Sequence, residues 1–180
     1  MGKTLSSISD ELAAWLQAQR IFFVATAPLA GDGHVSCSPK GGDTFRVLGP
    51  LEVAYLDYTG SGAETAAHVR ENGRIVLMFC AFEGLPRVVR LHGRGAVIVP
   101  THRDFAALSA LFPANPGTRA IVRVTVQRVS SSCGMSVPFM DFRAPRTDLD
   151  AWAERKGPAG LAVYRAEKNR QSIDGLPAFE

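Results

Sequence analysis

Residues Tyr55–Gly95 read YLDYTGSGAETAAHVRENGRIVLMFCAFEGLPRVVRLHGRG, and this stretch decides the fold. Its hydrophobic runs predict a strand over Leu51–Leu56, then strands over Arg74–Phe82 and Val88–Val99. Between the first two lies a helical stretch, Ala63–Glu71, which Asn72-Gly73 stops. The first strand enters that helix through Tyr58-Thr59-Gly60-Ser61-Gly62. Such a turn presents unpaired backbone N–H groups at the positive end of a helix dipole, where a phosphate is well held. Gly60 and Gly62 permit close approach, and Thr59, Ser61 and Thr65 add hydroxyl donors. From residue types alone Thr59-Gly60-Ser61-Gly62 reads more readily as a plain strand-to-helix turn with Ser61 as N-cap.

Outward from this stretch the chain is rich in short strands. Ile21–Ala27 is a buried run, His34–Ser38 a second strand that Pro39 stops, and Thr44–Leu48 a third after the Lys40–Asp43 turn. Ala120–Val129 alternates Val122, Val124 and Val126 with polar residues, a strand with one wetter face. Ser9 predicts an N-cap for a helix carrying Leu12, Trp15 and Leu16, and Thr101 one for a helix to Phe112. After Pro138 come an irregular segment, two amphipathic stretches near Leu149–Lys156 and Gly160–Asn169, and a loosely attached tail from Ser172 to Glu180. These elements predict a mainly β, α+β fold, a closed or nearly closed antiparallel barrel with peripheral helices. The expected division is a barrel over residues 1–138 and a helical extension over 139–180 packed on the same domain.

With 180 residues, 46% of them apolar, and a net charge of +3, the composition fits one ordinary globular domain. The charges are scattered and the aromatics do not interleave with Lys or Arg, so no nucleic-acid partner is expected. No apolar run approaches the roughly 20 residues of a membrane span, and Met1–Asp10 lacks the apolar core of a signal peptide. Cys37, Cys80 and Cys133 are an odd number without metal spacing, expected as free, mostly buried thiols in the cytoplasm. His34, His68, His92 and His102 lack ligand spacing, so no metal site is expected. Glu64 and His68 stand at i, i+4 and predict a contact with each other.

The order of elements, with Asp57, Thr59, Glu64, Thr65, His68, Asn72 and Arg90, resembles the FMN-binding split-barrel proteins of the pyridoxamine 5′-phosphate oxidase-like superfamily. Asn72-Gly73-Arg74, Met78–Gly84 and the segment Ser132–Pro138 resemble a bacterial and fungal branch of it. The resemblance covers Ile21–Pro138. It implies a split β-barrel, a homodimer with flavin at the interface, and an FMN-dependent oxidoreductase acting on a small organic molecule. A carrier or sensor of flavin, deazaflavin or haem is the alternative.

By the same resemblance the cofactor-binding residues are Ser36, Cys37, Ser38 and Lys40, then Tyr58, Thr59, Gly60, Ser61, Gly62 and Thr65, with Arg90. No catalytic side chain is identified. Two departures stand out. Many relatives carry an Arg-Lys pair where this chain has Glu64 and Thr65, so the phosphate's counter-charge is expected from Lys40 and Arg90, with Arg94 behind them. True pyridoxamine phosphate oxidases also end in an arginine-rich stretch that holds the substrate phosphate. This chain ends differently, which sets that substrate in doubt. Cys133 reads as part of a loop that packs or lines the flavin pocket, and Arg123 and Arg128 as candidates for reaching a ligand across the interface.

Overall fold

Alternation places Phe22, Val24 and Thr26 of the run Ile21–Thr26 on one buried face, and the core starts from it. The computed structural model describes residues 2–179; Met1 and Glu180 lie outside them. In chain order the elements are β1 (Lys3–Leu5), α1 (Asp10–Ala18), β2 (Ile21–Thr26), β3 (Ser36–Gly41), β4 (Phe45–Gly49), β5 (Glu52–Tyr58), α2 (Glu64–Asn72), β6 (Arg74–Cys80), β7 (Val88–Ile98), α3 (Phe105–Ser109), β8 (Thr118–Ser132) and α4 (Asp148–Lys168).

The strands form one antiparallel sheet in the order β3-β2-β6-β7-β8-β5-β4, with β1 added to β8. It curls into a split barrel whose end strands, β3 and β4, share no ladder. Cross-strand partners put Phe22 opposite Phe79 and Phe45 opposite Tyr55. Their four rings cluster with centroids 4.9–5.6 Å apart. Leu77, Leu91, Val124 and Val129 extend this core, and α1 adds Leu12 and Leu16. Each such fully buried side chain contributes roughly 1.5–3 kcal/mol. On the other face of β5 and β8, Ala54, Leu56 and Ile121 pack under Phe105 and Leu108 of α3. Burial on both faces explains why β5 reads as a continuous apolar run.

Several sequence expectations shift. Pro39 does not stop the second strand but lies inside it, opposite Phe23. β3 is a sheet edge, where a missing N–H facing outward breaks no ladder bond. Ser9 caps α1 as expected, its Oγ accepting from Leu12 N at 3.2 Å. The helix expected from Thr101 shrinks to Phe105–Ser109, preceded by Asp104 rather than capped by Thr101. Ser61 does not cap α2; Ala63 holds that position without a side-chain bond. Gly73 ends α2 in the left-handed conformation, φ 71°. Gly157, φ 63°, splits α4 into the two expected helical stretches.

The C-terminal tail is docked rather than loose. Ser172 N donates to Leu176 O, and Ala178 N and Phe179 N donate to Arg170 O and Asn169 O. Ala178 is buried among Ala63, Ala66 and Ala67 at the start of α2. β1 has no counterpart among the expected elements.

Gly93 sits at a bulge in the β7–β8 ladder, where an added Cβ would lie 2.2 Å from Thr125 O. Gly93→Ala is therefore expected to destabilise by about 1–3 kcal/mol. Gly31→Ala, whose added Cβ meets nothing within 4 Å, should change stability by less than about 0.5 kcal/mol. Equal urea midpoints for the two variants would contradict this packing.

Candidate functional site

Asp57, on the inner face of β5, is almost fully buried and accepts from two cations. Lys40 Nζ donates to its Oδ1 at 3.0 Å and Arg119 Nε to its Oδ2 at 2.8 Å. Lys40 comes from β3, so this pair spans the seam that no ladder closes. Burial alone would raise the Asp57 pKa, but the charges and hydrogen bonds of Lys40 and Arg119 outweigh it and lower it. Asp57 is thus ionised at neutral pH, with both oxygens engaged.

Arg119 reaches this position because the β5–β8 register breaks there. Asp57 pairs with Ala120 and Tyr58 with Thr118, which leaves Arg119 as the extra residue of a bulge. A bulge re-aims its extra side chain. Arg119 then donates onward to the carbonyls of Gly60 at 3.3 Å and Gly62 at 2.8 Å. Asn169, wholly buried, donates its Nδ2 to Gly60 O at 2.7 Å. Thr59 is also buried; its hydroxyl donates to Gly117 O at 2.8 Å and accepts from Arg165 Nε at 2.8 Å. The turn is held from beneath by a strand and by the end of α4.

The candidate residues do not form one cluster. Thr59, Gly60 and Gly62 belong to this network, while Ser61 is exposed and Thr65 half-buried, neither hydroxyl hydrogen-bonded among the described residues. Tyr58 points to the opposite face, with Leu56 and the α3 layer. Ser36, Ser38 and Lys40 share the inner face of β3, and Cys37 turns outward and is exposed. Ser38 Oγ and Tyr55 Oη are buried without partners among the described residues. Arg90 lies far from the turn: it pairs with Ser130, whereas the turn joins the sheet at Thr118. That separation is on the order of 40 Å of strand path. Arg90 donates to Ser132 Oγ, and Arg94 to Asn72 O.

Other expectations resolve individually. Glu64 does not pair with His68; its Oε1 accepts from Ile173 N at 3.3 Å, and Oε2 lies 2.8 Å from where a Cβ on Gly62 would stand. His68 is instead buried against Thr26, Nδ1 to Oγ1 2.9 Å, and burial lowers its pKa. Arg123 pairs with Asp104 and Glu52, and Arg128 donates to Thr4. Cys133 is exposed at the far end of β8, beside a small apolar hollow lined by Ala81, Met135, Val137 and Phe139. Sequence reasoning missed Arg119, Arg165 and Asn169. Only the arginine at the mouth of an apolar strand gave a signal, because such a residue needs a buried partner.

Residues 8–133 match the family model described as Pyridoxamine 5′-phosphate oxidase. The pyridoxamine 5′-phosphate oxidase family protein ustO of Aspergillus flavus is 39% identical over 190 aligned positions, spanning 96% of this chain and 76% of that protein. HupZ of Group A Streptococcus shares the fold with a TM-score of 0.53 at 21% identity, over 68% of this chain and 91% of HupZ. A FAD-binding protein of Mesorhizobium loti does so at 0.50 and 15%, over 73% and 96% of the two chains. No described helix is long and apolar enough to cross a membrane.

Because the folded-state pKa of Asp57 is lowered, its contribution to stability is complete above the ordinary carboxylate value of about 4 and is lost as pH falls through the lowered value. Asp57→Asn leaves two cations around a neutral amide and is expected to cost about 3–5 kcal/mol at pH 7. It should also flatten the acid limb of a stability–pH profile from urea unfolding. An unchanged profile would mean that the ion pair contributes nothing.

Proposed function

The chain belongs to the pyridoxamine 5′-phosphate oxidase family, and we propose that it is an FMN-dependent oxidoreductase acting on a small organic substrate. The carrying observation is the turn between β5 and α2. Its helix start has no side-chain cap, Ser61 and Gly62 are exposed, and the hydroxyls of Ser61 and Thr65 are free among the described residues. Those donors fit a flavin phosphate. The FAD-binding protein of Mesorhizobium loti, built on the same fold, is in keeping with a flavin.

When bound, the flavin supplies the redox chemistry, taking up or delivering a hydride. The chain's residues bind and orient. Ser61 and Thr65 donate to phosphate oxygens, and Thr59, Gly60 and Gly62 hold the turn's shape through Arg165, Asn169 and Arg119. Asp57, kept ionised by two cations, holds the seam and is not a proton carrier. The docked tail of residues 169–179 differs from the arginine-rich end of true pyridoxamine phosphate oxidases, so we propose a different substrate.

A homodimer is part of the same proposal. Arg90 and the turn are too far apart along the β7–β8 ladder for one chain to place both on a single flavin. A partner subunit could contribute the Arg90 end. Free Cys37, Cys80 and Cys133 suit a reducing cytoplasm.

The first test is the visible spectrum of the purified protein, followed by titration with FMN, deazaflavin and haem. Tight FMN binding at one site per chain is expected; haem or deazaflavin binding without FMN would overturn the assignment. Ser61→Ala with Thr65→Ala should weaken FMN by about 1–3 kcal/mol. Glu64→Gln should tighten it, since a carboxylate beside the turn repels a phosphate dianion. Unchanged affinity in both variants would remove the phosphate from this turn.

A further inference from the structure

Lys40 and Arg119 meet at Asp57, Arg119 and Arg165 hold the Thr59–Gly62 turn, and Asp57 is the one carboxylate paired with these three cations among the described residues. Arg165 pairs with no carboxylate among the described residues; it holds Thr59 Oγ1 at 2.8 Å and Thr118 O at 3.2 Å. Burial, and then the like charge of Arg119, lower its pKa. Such an excess of partly buried positive charge is costly unless an anion answers it.

The hydrogen bonds also set which way the turn's amides face. A planar trans peptide directs its C=O and the following N–H oppositely. The Gly60 carbonyl is drawn inward by Arg119 and Asn169, so Ser61 N–H points outward; the Gly62 carbonyl is drawn inward by Arg119, so Ala63 N–H does too. Neither amide donates to a protein acceptor among the described residues. Ser61 is exposed, so its amide opens toward the outside of the turn, whereas Ala63 is buried against Ala178 of the tail.

We propose that the C-terminal helix, through Arg165 with Asn169, supplies the charge and alignment by which this turn selects a phosphomonoester, in place of the basic pair absent at Glu64 and Thr65. The inference rests on the flavin reading above and deepens it. Arg165 and Asn169 are positioning residues: they act through Thr59 and Gly60, and they lie outside the segment 8–133 that matches the family model.

The test compares FMN with riboflavin, which lacks the phosphate, by fluorescence quenching in the full chain. Wild type should prefer FMN. Arg165→Gln keeps hydrogen-bond donors but removes the charge, and should weaken FMN at least tenfold while leaving riboflavin unchanged. Asn169→Leu should narrow the FMN-to-riboflavin ratio in the same way, and Arg165→Lys should restore most of it. A role confined to holding the fold would move both ligands together. A wild-type ratio in Arg165→Gln would overturn the inference while leaving the flavin reading intact; a wild type that binds neither flavin would overturn both. If Asn169→Leu does not fold, the Arg165→Gln and Arg165→Lys pair decides the question alone.

Discussion

A buried carboxylate between two cations holds this barrel together where hydrogen-bonded strands do not. β3 and β4 share no ladder, and the Lys40–Asp57 bond is laid across that gap. The arrangement is tolerable in an apolar interior only because both Asp57 oxygens are matched, one by Lys40 and one by Arg119. Arg119 carries the same constraint outward, since one guanidinium holds Asp57, Gly60 and Gly62. The seam and the turn therefore share one network.

That coupling depends on β8. Its fifteen residues pair with β5, β7 and β1, so it is the scaffold from which the barrel is measured. A single extra residue in its first turn of ladder swings Arg119 into the interior. The same strand separates the candidate site into two ends, with the turn near Thr118 and Arg90 near Ser130. The C-terminal segment then closes over the turn, its Ala178 packed on α2 and the Phe179 ring 4.8 Å from the Arg119 guanidinium. A segment whose sequence looks like a tail becomes part of the wall behind the site.

Much of the fold was legible in the residues. Periodicity placed β2, β6, β7 and β8, and Asn72-Gly73 and Ser9 marked helix ends that the structure keeps. The misses share a cause: each depended on where an element sits relative to others. Pro39 is tolerated because β3 is an edge. Glu64 and His68 have the spacing of a pair, yet His68 turns to Thr26 and Glu64 to the backbone of Ile173. The tail carries glycine and proline, and it is docked by alanines too small to announce a contact.

The sequence by itself determined the strand-turn-helix unit and the barrel class, because alternation, glycine placement and helix stops are local properties of neighbouring residues. Only the tertiary structure decided which charges meet. Lys40, Asp57, Arg119 and Arg165 are scattered along the chain, and a bulge overrides the alternation that would assign Arg119 a face. Long-range pairing of buried charge is set by register and closure, and neither is written in any one segment.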